Sequence, residues 1–258
     1  MQSTIYTLLF WLVCSFSASA QGYLSQWRDK KGDWYFGLNT STSRYCGDLS
    51  ERYNIAHLQL SWGVGGLIQY RFDEHFSMRA DVSITHLRGD QQHTKNSANG
   101  LSFSSVNPSA SVGVQVDFRG FDYNQYNIPY GWLSLGAVEI NPTTLYKGQQ
   151  VALSGLETEG ATYGKWSGLV AYGVGLPFRV NKKTQIRLEG RYTHVLSDYL
   201  DDVSQVYADK SKASLLVQEV ADRRRELGLP GNTAGAQRGN PSNNDGYFLL
   251  SLQVIYKR

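Results

Sequence analysis

The sequence is poor in the residues that staple, ligate and catalyse. It has two cysteines, Cys14 and Cys46, and five histidines in 258 residues. The histidines (His57, His75, His86, His93 and His194) show no H-x-x-x-H spacing, and no G-x-S-x-G elbow is present. A net charge of +3 is too weak a basic balance for a nucleic-acid binder. Beyond the N-terminus no segment is apolar for the roughly 20 residues that a membrane helix requires. With 17 Tyr, 10 Phe and 6 Trp the chain is not disordered either.

The N-terminus reads MQSTIYTLLFWLVCSFSASAQ, an apolar run from Ile5 to Phe16 followed by Ala18-Ser19-Ala20. This fits a signal peptide over residues 1–20 and a single domain over 21–258, although no Lys or Arg precedes the run. Val13 stands where a lipoprotein site before Cys14 wants a small residue. The mature chain then keeps only Cys46, so no intrachain disulfide can form.

What is present is alternation. In FSMRADVSIT, Phe76, Met78, Ala80, Val82 and Ile84 share one face, and Ser77, Arg79, Asp81, Ser83 and Thr85 the other. VGVQVDFR, QIRLEGRYT and FLLSLQVIY repeat the pattern. Eight strands are expected, near Trp34–Ser43, His57–Phe72, His75–Arg88, Leu101–Arg119, Ile128–Ile140, Trp166–Val180, Thr184–Ser197 and Gly246–Tyr256. The connections after the first, third, fifth and seventh are long (Arg44–Ala56, Gly89–Gly100, Asn141–Lys165, Asp198–Asp245). Those after the second and sixth are tight, and GFDYNQYN after the fourth is intermediate.

Long loops at one end and short turns at the other are the asymmetry of an outer-membrane barrel, and a soluble sandwich has no reason to show it. The fold class expected is therefore all-β: an eight-stranded antiparallel transmembrane β-barrel with long external loops, both termini lying in the periplasm. Trp34, Tyr70, Tyr130, Trp132, Trp166, Tyr192 and Tyr256 suit interfacial girdles.

An eight-stranded barrel is only wide enough for side chains to fill it. Arg71, Arg79, Asp81, Asp117, Arg119, Arg187, Glu189 and Arg191 are expected inside, as a mutually neutralising charge cluster rather than a transport path. In the last loop, SLLVQEVADRRREL places Leu216, Val220 and Leu227 on one helical face, with Gly228 and Pro230 as the stop. A short helix over the mouth is expected, its run Arg223–Arg225 facing the acidic stretch, lipid headgroups or solvent.

That stretch, SDYLDDVSQVYAD, begins where the seventh strand ends. Its carboxylates could hold calcium, but the D-x-D-x-D-G spacing is missing and no Glu closes a site. Capping and docking of the loop is the better reading. The residues expected to dock the external loops are Asp48, Asp198, Asp201, Asp202 and Arg238. His194, at the outer end of the seventh strand, is the best-placed histidine for lipid chemistry. It lacks a nameable partner and reads as a girdle residue.

Four segments carry a resemblance: RYCGDL, NPTTLYKGQQVALSGLETEG, SDYLDDVSQVYAD and RGNPSNNDGYF, in this order around the expected strands. Over essentially the whole mature chain the sequence resembles the Bacteroidota outer-membrane β-barrel family that includes PorG, a component of the type IX secretion and gliding machinery. It departs from that pattern at Cys46 and in GLPFRV, which lacks an expected glycine. The resemblance implies an outer-membrane protein without enzyme activity. It also implies association with a periplasmic ring formed by a lipoprotein and its partner, no cofactor and no metal. The alternatives are a stand-alone surface barrel that binds a lipid or small ligand, and a lipid-modifying barrel enzyme.

Overall fold

The computed structural model describes residues 28–51, 57–121 and 127–258. The signal peptide expected over 1–20, and most of the intermediate connection after the fourth strand, lie outside these residues.

Ten strands form one antiparallel sheet: β1 Trp34–Cys46, β2 Leu60–Arg71, β3 Phe76–Asp90, β4 Ser102–Asp117, β5 Tyr130–Glu139, β6 Pro142–Tyr146, β7 Gln149–Ala152, β8 Trp166–Arg179, β9 Thr184–Val195 and β10 Gly246–Lys257. Each of β1–β5 and β8–β10 pairs with its neighbour, β5 pairs with β8, and β10 returns to β1. These eight close a ring, so the barrel has no free edge.

The other two strands lie within the long connection Asn141–Lys165 and raise the count from the eight expected. There β6 and β7 fold into a hairpin that continues the sheet through Ser104↔Thr143 on β4. Its two-residue turn, Lys147-Gly148, has positive φ at both positions (47° and 80°), the backbone that twists with a tight hairpin.

Alternation decides the rest. Leu38 is 74% exposed and Leu135 61%, both on the outer wall, whereas Arg79 and Glu189 are 2% and 1% exposed inside. Trp34 stacks near Tyr70 (4.8 Å) and Phe72 near Phe76 (6.3 Å) at the end where the turns lie. Tyr130 and Trp132 are not girdle residues. On β5 their parity points inward, and both are buried.

The lumen is layered. At mid-height Arg79 makes two bidentate pairs, to Asp81 (2.8 and 2.7 Å) and to Glu189 (2.6 and 3.0 Å). Trp132 covers its guanidinium at 4.4 Å, and the Tyr130 hydroxyl donates to Glu189 (2.9 Å). Arg187 donates to Gln69 (2.8 Å) and Arg191 to Thr193 (3.3 Å). Toward the turns Arg71 pairs with Asp117 and Asp29. Arg119 departs from the expectation: β4 ends at Asp117, and Arg119 is exposed at the rim of the turn end rather than inside. Toward the loops the lumen turns apolar, with Leu87, Phe103, Val138, Leu169, Val195 and Leu249 packed around Leu49, Leu200 and Val203 from the connections.

The helix in the last loop is shorter than its periodicity suggests. It spans α1 Leu215–Ala221, capped by Ser214, and buries Val220 and Ala221. Asp222 breaks it, and Arg224–Leu227 form a separate 3₁₀ turn that Gly228 ends at φ +71°. Leu216 and Leu227 are consequently exposed rather than on one buried face.

Replacing Arg79 with Leu strands two buried carboxylates and is expected to cost about 3–5 kcal/mol. Lys183→Leu, in an exposed turn, should stay within about 0.5 kcal/mol. Urea titration of the heat-shifted gel band measures both, and equal midpoints would contradict this lumen. Planar-bilayer recordings should show no large steady conductance.

Candidate functional site

The four segments that carry the resemblance are far apart in sequence and meet at the loop end of the barrel. SDYLDDVS enters the mouth. Asp202 donates its peptide N–H to the Tyr199 carbonyl (3.3 Å) and adopts φ +70°, a turn that sends Leu200 and Val203 down into the apolar layer. The carboxylates left at its shoulders are buried and must find donors.

Asp202 is served by three side chains from two connections. Its carboxylate accepts from Thr158 (2.6 Å), Tyr163 (2.8 Å) and Arg238 (3.2 Å). Arg238, itself buried, also donates to the backbone carbonyl of Asp202, to Ala221 O (3.4 Å) and to Glu159 (2.9 Å). Glu159 in turn accepts from the peptide N–H groups of Ser204 (2.9 Å) and Gln205 (3.0 Å). Tyr163 stacks on Tyr199 with ring centroids 4.7 Å apart. Asp48, half-buried, accepts the Asn240 N–H at 2.6 Å and so ties the first loop to the last.

Asp201 sits on the other shoulder. The Tyr45 hydroxyl lies 2.6 Å from Asp201 Oδ2 and 2.6 Å from Asp245 Oδ1. One hydroxyl has one proton to donate, so the second contact is a hydrogen bond only when one carboxyl is protonated. Asp201 further accepts from Val203 N (2.9 Å), and Asp245 from Leu200 N (3.0 Å). Burial, with each carboxyl's acidic neighbours, holds both Asp201 and Asp245 well above the usual carboxylate range. Burial raises Asp48 and Asp202 as well, and pushes Asp198 up to about 7.

Asp48, Asp201, Asp202 and Arg238, expected from the sequence to dock the loops, make their bonds in this cluster, whereas Asp198 is buried at its edge with neither carboxyl oxygen taken by a peptide N–H or a cation among the described residues. Glu159, Thr158, Tyr163, Tyr45 and Asp245 were missed. Tyr45, Thr158, Glu159 and Asp245 stand inside the quoted motifs, and that was the signal available for them. The run Arg223–Arg225 turns elsewhere: Arg223 bonds Glu226, Ser102 and Thr144, and Arg224 bonds Pro230 O. Among the described residues no three metal-ligating side chains converge.

His194 touches only aromatic rings in the contacts seen, Tyr192 at 4.9 Å and Tyr172 at 6.2 Å. A different histidine meets hydroxyls. His86 lies on the outer wall with Nδ1 against Ser61 Oγ and Nε2 2.9 Å from Ser104 Oγ. These three residues come from three strands, and spacing along the chain gives no hint of them.

A closed eight-strand ring with an apolar outer wall, a neutralised lumen and a docked cap defines a membrane-spanning β-barrel of the outer-membrane type. The family model for the outer membrane protein beta-barrel domain matches residues 7–215, most of the chain. The chain belongs to that family, and it is an outer-membrane protein. Solved outer-membrane proteins are similar to the chain at low identity. Neisserial surface protein A is 12% identical over 87% of this chain and 97% of its own, TM-score 0.44. Ail, the attachment invasion locus protein of Yersinia pestis, is 13% identical over 89% and 100%, TM-score 0.44. OprG from Pseudomonas aeruginosa is 11% identical over 90% and 98%, TM-score 0.45. No curated protein sequence matches the chain.

The raised carboxyls give the cap a pH dependence of definite sign. The docked cap holds protons that a loosened one, with ordinary carboxyl values near about 4, releases. Docking is thus complete below about pH 4 and weakens as pH rises through 7, where Asp198 titrates. Proteinase K should nick between Ala208 and Gly231 faster at pH 8 than at pH 6, with rates normalised to a denatured control. Asp198→Asn should flatten that dependence, and Asp201→Asn should loosen the cap little. Asp202→Asn or Arg238→Gln should speed nicking about 10- to 100-fold at either pH, since each removes charge-assisted bonds of about 1.5–3 kcal/mol. Identical behaviour of Asp201→Asn and Asp202→Asn would contradict the two roles.

Proposed function

We propose that the protein is a non-enzymatic outer-membrane barrel that anchors or couples a type IX secretion assembly, in the manner of PorG. The observation that supports this most is the convergence of the four motif segments. They carry the resemblance, and their residues build one buried cluster that holds all the long connections except the Gly89–Gly100 loop. In this reading both termini and the short turns lie in the periplasm, and the capped loop end faces out of the cell. The barrel wall holds the protein in the membrane, and the periplasmic end is offered to a ring made of a lipoprotein and its partner. The filled lumen fits an anchor better than a conduit. The serine hydroxyls at both ring nitrogens of His86, with no carboxylate hydrogen-bonded to it among the described residues, are the reason for placing no hydrolysis there.

One observation favours a second reading, a surface barrel that binds a polar ligand. The first, second and last loops enclose a cleft of about 490 Å³ at the loop end, lined by Asp48, Glu51, Lys95 and the amides of Asn96, Asn99 and Asn243.

Affinity purification of the tagged protein from native membranes, followed by mass spectrometry, separates the two. Recovery of a stoichiometric periplasmic lipoprotein ring supports the anchor. Recovery of the barrel alone, with no ring component after crosslinking, contradicts it.

A further inference from the structure

Charge is unevenly distributed around the turn end of the barrel. Two short connections there are closed by side-chain caps that leave lysines at their tips. In the first, Lys30–Asp33, the Asp33 N–H closes on the Lys30 carbonyl (3.2 Å), and the Asp33 carboxylate accepts the Lys30 N–H (2.8 Å). Gly32 takes φ +92° at the third position, which puts Lys31 at the tip. The Gly32 N–H and the Asp33 carbonyl are both bonded to Arg71 at the end of β2 (2.7 and 3.0 Å). In the second, between β8 and β9, the Asn181 side chain accepts the N–H groups of Lys183 and Thr184 (2.9 Å each), with Lys182 and Lys183 at the tip. The end of β10 lies between the two turns. Its Lys257 N–H meets the Lys183 carbonyl (2.7 Å), and its Arg258 N–H meets the Trp34 carbonyl (3.0 Å).

Lys30, Lys31, Lys182 and Lys183 are exposed, and none of them is ion-paired among the described residues. The carboxylates nearest in the chain serve other cations: Asp29 pairs with Arg71 and Arg179 (3.7 and 3.5 Å), and Asp33 with Lys257 (3.6 Å). Residues 1–27 carry no charged side chain. Since β1, β10, β9 and β8 are consecutive in the ring, the lysines share one sector. The β2–β3 turn stands across the ring from the β8–β9 turn, and it carries Asp73 and Glu74. Lys183 reaches back to the wall, its Nζ 3.4 Å from the Tyr256 hydroxyl. Lys30 and Lys31 precede Trp34, the girdle residue that opens β1, and stand past the interface rather than in it.

We propose that this lysine sector is where an acidic surface of the periplasmic assembly docks. Turns fixed by their own caps present the ammonium groups with little ordering left to lose on binding. Lipid of the inner leaflet surrounds the wall on every side and would call for cations around the whole circumference. Here they fill one sector and the opposite turn is acidic. A protein partner held in one orientation fits that pattern, and an annulus of lipid does not. Asp73 and Glu74 repel the same acidic surface and so fix which way round the partner sits. This docking face rests on the anchor reading, with the turn end in the periplasm, and gives it a contact surface.

The test uses the full tagged protein in native membranes, purified at low salt and weighed by the amount of periplasmic ring recovered with it. Lys30→Glu, Lys31→Glu and Lys182→Glu together should lower that recovery about tenfold or more, because three attractions become three repulsions. The heat-shifted band should be unchanged, since all three side chains are exposed. Wild-type recovery should fall as salt is raised toward 1 M, where screening shortens to about 3 Å. Asp73→Asn with Glu74→Asn should not lower it. Equal recovery by wild type and the triple variant sinks this docking face and leaves the anchor reading standing. Recovery of no ring by wild type sinks the anchor reading and the docking face with it. Equal losses in the lysine and the Asp73/Glu74 variants would overturn the assignment to one sector. Loss of co-purified anionic phospholipid from the triple variant, with ring recovery unchanged, would assign the lysines to the membrane instead.

Discussion

An eight-stranded ring leaves an interior only as wide as the side chains that fill it, and this constraint governs the rest of the molecule. Charges placed there cannot be hydrated, so they must be neutralised by one another. Arg79 meets that demand from β3, and Glu189 from β9, four places away around the ring of eight and so on the opposite wall. The pair therefore braces the barrel across its diameter. Tyr130 from β5 and Trp132 over the guanidinium close the same layer. The lumen behaves as the core of the protein, and the apolar surface, inverted relative to a soluble fold, is left for lipid.

The cap follows from the same constraint. Above the charge layer the barrel is lined with apolar groups that water must not reach, and the strands themselves do not cover them. Leu49, Leu200 and Val203 do so from the loops. Driving these residues into the mouth drags Asp201 and Asp202 below the surface, and burial then decides their chemistry. Asp202 receives Arg238 as counter-charge. Asp201 receives Tyr45, which it shares with Asp245, and the arrangement holds together best with a proton. Two adjacent carboxylates of one sequence motif thus do opposite electrostatic work.

Much of the barrel was legible because period-2 alternation needs no tertiary information: FSMRADVSIT states which residues face in and which face out. The loop asymmetry was equally plain. What escaped depends on contacts distant in sequence. The strands β6 and β7 are five and four residues long, too short to alternate convincingly, and they exist because β4 offers an edge at Ser104 and Ser105. Tyr130 and Trp132 look like interfacial aromatics until the register of β5 turns them inward. Leu227 shared helical spacing with Val220, but Asp222 ended the helix between them. Arg119 continued the parity of Asp117, but the strand stopped first. In the cap, the acidic stretch announced itself by density, whereas Glu159 had only its place in the second quoted motif to suggest that it would bind Arg238 and two peptide N–H groups.

The central claim is that the loop end is a folded continuation of the barrel rather than a set of mobile connections. Amide hydrogen exchange over Ser197–Asp245 tests it most directly. The peptide N–H groups of Val203, Ser204, Gln205, Tyr207 and Arg238 are each bonded within the cap. They should exchange about 10³-fold or more slowly than a free chain, as expected of a cooperative unit, and Arg238→Gln should release them together. Exchange of these amides at free-chain rates in the wild-type protein, while the strand amides stay protected, would contradict the account.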